Sequence, residues 1–155
     1  MQAHRVSSQR DQPRETKIRP LVEADADAVA ALATELGYPN EIEEIRRRIA
    51  PIAKSDLLLV AADTNDKPVG FIQAHRVRII EVGDRVEILG LVVSSTARRR
   101  GIAQMLIAEV ERWAKKIGVK TVSVRSNTKR TEAHLFYPAM GYEKIKTQAV
   151  YEKLL

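Results

Sequence analysis

The chain has no cysteine, which removes disulfides, thiolate metal sites and thiol nucleophiles at once. Aromatic residues make up only 5% and none is interleaved with the arginine runs, so a base-stacking surface, and with it nucleic-acid binding, is not expected. No unbroken apolar run exceeds the six residues of Leu57–Ala62, far short of the roughly 20 needed to span a bilayer. The first residues hold no apolar stretch either, so no signal peptide is read, no membrane partner is expected and a cytoplasmic protein follows by default. The three histidines are scattered without ligand spacing, and no metal is predicted. Neither a G-x-x-x-x-G-K-[ST] loop nor a G-x-G-x-x-G fingerprint occurs.

What the chain does have is room for one full domain, 155 residues with 45% hydrophobic and 30% charged content. The formal net charge is +6, and it is concentrated. Residues 98–130 hold ten Lys and Arg against Glu109 and Glu111, which makes +8, so the remainder sums to −2. Residues 1–15 are polar, rich in Arg and Gln and without periodicity, which predicts a disordered leader before a single domain over 16–155.

The most informative stretch runs from Val86 to Ala114. Val86–Val93 is rich in β-branched and aliphatic residues and reads as a strand, with one carboxylate, Glu87, inside it. Ala103, Leu106, Ile107, Val110, Trp113, Ala114 and Ile117 recur at i, i+3, i+4, i+7 and make one apolar helix face. Between them lies Arg98-Arg99-Arg100-Gly101-Ile102-Ala103. A turn of this kind leaves the first helical N–H groups without intrahelical partners, at the positive end of the helix dipole. The arginines add bidentate phosphate donors. The turn therefore reads as a phosphate site suited to a diphosphate; the alternative reading is a solvated basic loop.

Arg98-x-x-Gly101-x-Ala103 resembles the [QR]-x-x-G-x-[GA] signature of the GNAT superfamily, the acetyl-CoA-dependent N-acetyltransferases. A second block, Asn127, Ala133, Phe136-Tyr137 and Gly141-Tyr142, is similar to that family's N…A…FY…G[FY] pattern. The resemblance covers about Thr16 to the C-terminus. It implies an α/β (α+β mixed) fold with a central, mostly antiparallel mixed sheet flanked by helices, in the order βααβββαβαββ. It also implies that acetyl-CoA is the co-substrate and an amine the acceptor.

The residues taken in order are consistent with that scheme. Thr16–Pro20 reads as an edge strand, and Asp25 as the cap of a helix stopped by Gly37. A second helix from about Asn40 turns Ile42, Ile45 and Ile49 inward and is predicted to end at Pro51. The loop Gly37-Tyr38-Pro39-Asn40 between them is a candidate acceptor loop by resemblance and a plain turn by composition. Asp56–Ala62, Val69–Val77 and Val86–Val93 form a meander joined at Asn65-Asp66 and Gly83-Asp84. Lys120–Ser126 should pair parallel to the third of these, followed by a short helix near Arg130–Met140 and strands near Tyr142–Ile145 and Ala149–Leu154.

Transfer of an acetyl group to an amine needs a base, because an alkyl ammonium with a pKa of about 10 must first lose a proton. Glu87 is the candidate, an acid in a core strand where desolvation favours its protonated form, and it falls where histone-type members of the family carry their catalytic glutamate. The competing reading is a wet-face glutamate paired with Arg85 or Arg76. Simple alternation puts Glu87 on one face with Leu89, Leu91 and Val93 unless a bulge intervenes, and the resemblance implies one at Gly90. Tyr137 matches the family's proton donor to the departing thiolate, although Pro138 directly after it is expected to end or kink the helix there. The resemblance further assigns Leu91, Val92 and Val93 to the pantetheine arm by their backbone groups. It assigns Arg98, Arg99, Arg100, Gly101, Ile102, Ala103 and Gln104 to the diphosphate, and Asn127, Arg130, Ala133, Phe136 and Tyr137 to the same ligand. His134 and His75 are weaker candidates for proton transfer. The acceptor is a small-molecule amine on this reading, with a protein or peptide amine, or a non-catalytic acetyl-CoA-binding regulator, as alternatives. A homodimer is compatible with the sequence, since members of the family often pair through C-terminal strands.

Overall fold

The structure, a computed structural model, describes residues 15–155. All of the predicted leader except Glu15 lies outside the described residues. The elements are β1 (Lys17–Pro20), α1 (Ala26–Leu36), α2 (Ile42–Ala53), β2 (Leu57–Ala62), β3 (Pro68–Ile79), β4 (Gly83–Val93), α3 (Ile102–Lys116), β5 (Val122–Val124) and α4 (Thr131–Ala139). The sheet has five strands in the order β1-β2-β3-β4-β5. Three pairings are antiparallel, and β5 lies parallel to β4 through Val86↔Val122, Glu87↔Ser123 and Ile88↔Val124.

Each face of the sheet is covered by helices. The helix α3 lays Leu106, Ile107, Val110 and Ala114 on one face, against Leu59, Ile72, Val86 and Ile88. On the other face Val29 and Ala30 of α1 and Ile45 and Ile49 of α2 close over Val60, with Phe71 at the margin. Of the apolar faces read from the sequence, that of α3 is buried, as are Ile45 and Ile49 of α2, whereas Ile42 in its first turn is 41% exposed, and Gly37 (φ +104°) ends α1 in the left-handed conformation that glycine adopts without strain.

Several expectations are corrected. Asp25 does not cap α1 with its side chain. A single 3-10 turn, Glu23–Asp25, precedes the helix, and the carboxylate points back to accept Val22 N–H at 2.9 Å and both ends of the Arg19 guanidinium at 2.8 Å. Pro51 does not end α2, which continues to Ala53; a proline in the last turn removes one hydrogen bond and keeps a helical φ. The second meander turn is Ile80–Val82, with Gly83 already paired to Ile79. Residues 142–155 form no helix or strand and are almost entirely exposed. The two C-terminal strands are therefore absent among the described residues. Ile145, Val150, Tyr151 and Leu154 are exposed, and strand propensity without a neighbouring strand does not hold a ladder.

Buried charge gives a first expected outcome. Asp25 is 6% exposed. Burial alone would push its carboxyl up, but the Arg19 and Val22 hydrogen bonds outweigh that and hold it below its ordinary value. Asp56 is likewise raised by burial and lowered on balance by Gln73, His75 and Ser55. A carboxylate with a depressed folded-state pKa adds stability above its unfolded pKa, and that stability is lost as pH falls through the folded value. Thermal midpoints should therefore be flat from pH 7 to about 5 and drop below about pH 4. Arg19→Ala should cost about 2–3 kcal/mol at neutral pH by stranding the buried carboxylate, with a shallower acid limb in the melting series.

Candidate active site

Beyond Ile88↔Val124 the parallel pair stops, and β4 and β5 part. A cavity of about 180 Å³ opens in that splay. Leu89, Gly90 and Leu91 form one wall, and Val124 to Asn127 the other. Ala133 and Tyr137 of α4 close one side, while Leu36 and Tyr38 at the end of α1 close the opposite one.

The cleft depends on a bulge. The β3–β4 register runs Gln73↔Gly90 and then Ala74↔Ile88, which leaves Leu89 as the extra residue, one position before the expected Gly90. Its effect is the expected one. Val86 and Ile88 pack with α3, as do Leu91 and Val93 after the bulge, and this is possible only because alternation is interrupted. Glu87 therefore faces the α1/α2 side and not the side of Leu91. It is 8% exposed, its carboxylate Oε1 lies 2.5 Å from Nε of Arg125, and its partner is neither Arg85 nor Arg76. Arg125, not Glu87, reaches the cleft wall.

Glu87 stands in a row of polar side chains across the sheet. Its direct partner on β3 is His75, so the two project from the same face. His75 Nδ1 lies 2.5 Å from Oδ1 of Asp56, whose Oδ2 accepts a hydrogen bond from Gln73 at 2.7 Å. His134 is committed elsewhere, with Nε2 3.0 Å from the Thr128 carbonyl.

Tyr137 sits inside α4, which runs through Pro138 to Ala139, so the proline does not end the helix as expected. The ring is held edge-on between Phe136 (centroids 5.1 Å) and Tyr142 (6.0 Å). Burial raises the Tyr137 phenol pKa, and the nearby Arg130 charge partly offsets it. Arg130 also crosses the cleft mouth, donating from Nη2 to the Leu36 carbonyl at 2.9 Å. Glu35 ties the same end of α1 to the exit of β4 by accepting Ser95 N–H at 3.0 Å. The α1 terminus is thereby fixed over the cleft, a pair of long-range contacts with no local sequence signal.

The basic turn lies between β4 and α3. Gly101 (φ +72°) and Arg99 (φ +62°) are left-handed, and Met105 N–H to Gly101 O (3.0 Å) is the first hydrogen bond of the helix. The N–H groups of Ile102, Ala103 and Gln104 come before it and are open to a ligand. Arg98, Arg99 and Arg100 are exposed. The three do not converge on the splay: Arg98 Nε reaches back to the Val93 carbonyl at 3.5 Å, and Arg100 borders a separate cavity of about 340 Å³ with Thr96, Ile102 and the β2–β3 turn. Of the predicted arm-binding residues, Leu91, Asn127, Arg130, Ala133 and Tyr137 line the splay. Val92 is buried, and Val93 and Phe136 pack against the core.

Comparisons with known proteins agree with this architecture. Residues 25–142 match the model of the Acetyltransferase (GNAT) family. The chain is 31% identical over 113 residues to an uncharacterised N-acetyltransferase of Bacillus subtilis, covering 72% of this chain and 80% of that protein. It is 30% identical over 132 residues to the aminoalkylphosphonate N-acetyltransferase of Salmonella typhimurium, covering 83% and 85%. Among solved structures, an aminoglycoside N-acetyltransferase in complex with CoA superposes with a TM-score of 0.78 at 21% identity, over 92% of this chain and 98% of that one. With a family model spanning most of its length, a relative above 30% identity and the splayed β4–β5 pair, the chain belongs to the GNAT family and is an N-acetyltransferase.

Proposed function

We propose that the protein transfers the acetyl group of acetyl-CoA directly to a primary amine of a small molecule in the splay between β4 and β5. The observation that carries this is the joint placement of Leu91, Asn127, Ala133 and Tyr137 around one cavity, with Leu91 on the strand that leads into the N-terminus of α3. Relatives named for an aminoalkylphosphonate and for aminoglycosides support a small-molecule amine over a peptide.

In this reading the Ile102, Ala103 and Gln104 amides and the arginines before them bind the diphosphate of the donor. Backbone groups of Leu91, Val92 and Val93 hold the pantetheine arm beside β4, and an N–H there polarises the thioester carbonyl. Glu87 takes the ammonium proton through an intervening water, since its carboxylate stands one residue row from the cleft. The free amine nitrogen then attacks the thioester carbon, the C–S bond breaks as Tyr137 gives its phenolic proton to the sulfur, and the proton that the acylated nitrogen must still lose passes by solvent to the Tyr137 phenolate. The phenol, its pKa raised by burial, is protonated at neutral pH and so holds the proton that the thiolate takes.

Free-thiol release from acetyl-CoA with a panel of small amines, aminoglycosides and peptides tests the reading. Release with small amines supports it, and release with peptides alone replaces it by the protein-directed alternative. Tyr137→Phe should lower kcat roughly 10- to 100-fold and leave calorimetric acetyl-CoA affinity within about twofold. An unchanged kcat would remove Tyr137 from the reaction.

A further inference from the structure

We infer that the amine acceptor carries an anionic group only a few bonds from its nitrogen, and that Arg125 selects it. This rests on the acetyl-transfer reading and narrows its substrate class. Among the described residues lining the cleft, the charged side chains are Arg125 and Arg130, and no carboxylate is present. A polycationic acceptor would meet two guanidinium groups there, while the carboxylate paired with Arg125, that of Glu87, is only 8% exposed, a mismatch that costs affinity. The donor's own phosphates do not explain Arg125. On the proposed reading the basic turn before α3, beyond the C-terminal end of β4, serves them.

Arg125 is placed on the acceptor side. It follows Val124, which packs with the α3 core, so alternation turns it to the α1/α2 face, where it meets Glu87. The Arg125 side chain is 73% exposed beside Glu87, so its guanidinium is reachable for the bidentate grip that suits carboxylates and phosphonates. The same contact sets the length of the acceptor. Glu87 and Arg125 touch, so an amine that delivers its proton to one while its anion engages the other must be short. It also makes the acceptor part of its own activation, because an anion on Arg125 competes with Glu87 and loosens the pair that ties up the base.

Matched acceptors test this by thiol release: 2-aminoethylphosphonate, 3-aminopropanoate, propylamine as the neutral-chain control, and an aminoglycoside. The wild type should prefer the anionic amines in kcat/KM by roughly 10- to 100-fold, and the ratio between the first two tells phosphonate from carboxylate. Arg125→Gln should collapse the anionic-to-neutral ratio toward one, Arg125→Lys should keep part of it, and calorimetric acetyl-CoA affinity should stay intact in both. Equal use of propylamine or better use of the aminoglycoside overturns the inference and leaves acetyl transfer standing. An unchanged ratio in Arg125→Gln with acetyl-CoA still bound removes Arg125 as the selector. Thiol release with none of the four overturns the small-amine reading and this inference together.

Discussion

Gly101→Glu is expected to abolish acetyl-CoA binding, a loss of at least about 100-fold in Kd if two charge-assisted phosphate contacts disappear. Space is not the obstacle, since the nearest atom to a Cβ at this position is Gln104 Oε1 at 3.7 Å. Two other effects combine. The left-handed backbone at φ +72° penalises any side chain, by roughly 1 kcal/mol. More importantly, the new carboxylate would sit at the N-terminus of α3, where it satisfies the Ile102–Gln104 amides itself and so excludes a diphosphate. Gly101→Ala separates the two effects, because it carries the strain without the charge and should lose only several-fold. Calorimetric titration decides it: Gly101→Glu binding acetyl-CoA like the wild type would place the diphosphate elsewhere.

Glu87→Gln is expected to lower turnover by roughly 100- to 1000-fold while acetyl-CoA affinity stays unchanged. The substitution is nearly isosteric, and although it removes the charge that pairs with Arg125, the backbone pairing of β4 with β5 does not depend on that side chain. What is lost is a proton acceptor. The residual rate then follows the fraction of acceptor already deprotonated, which rises tenfold per pH unit up to about pH 10. The pH optimum should move upward accordingly. A pH–rate profile that superimposes on the wild type would rule Glu87 out as the base.

Local patterns carried much of this architecture. The 3.6-residue apolar repeat of α3 and the apolar runs of β2 to β4 are read from neighbours in sequence, and they form as expected because each buries its own stripe. What local patterns could not supply were side-chain choices made at a distance. Asp25 has the chemistry of a helix cap and is diverted by Arg19. Glu87 was legible as the one acid inside a core strand, but its partner Arg125 lies 38 positions on and is fixed only by the parallel register. The link from Arg130 to the Leu36 carbonyl joins residues 94 apart. The C-terminal strands failed for a related reason: alternation in Tyr142–Leu154 states a propensity, and a ladder needs a second strand beside it.

The strand order also bears on how the chain comes together. Because the sheet order is the chain order, β2, β3 and β4 zip through two short turns, and little loop-closure entropy opposes them. The segment after α3 is different, as it joins by a crossover and is held to β4 through three residue pairs. One wall of the cleft thus belongs to the early-pairing meander and the other to its least secured neighbour. A ligand bridging the two stitches the weakest seam of the sheet, so its binding energy reappears as protection of β5 and α4 against local opening.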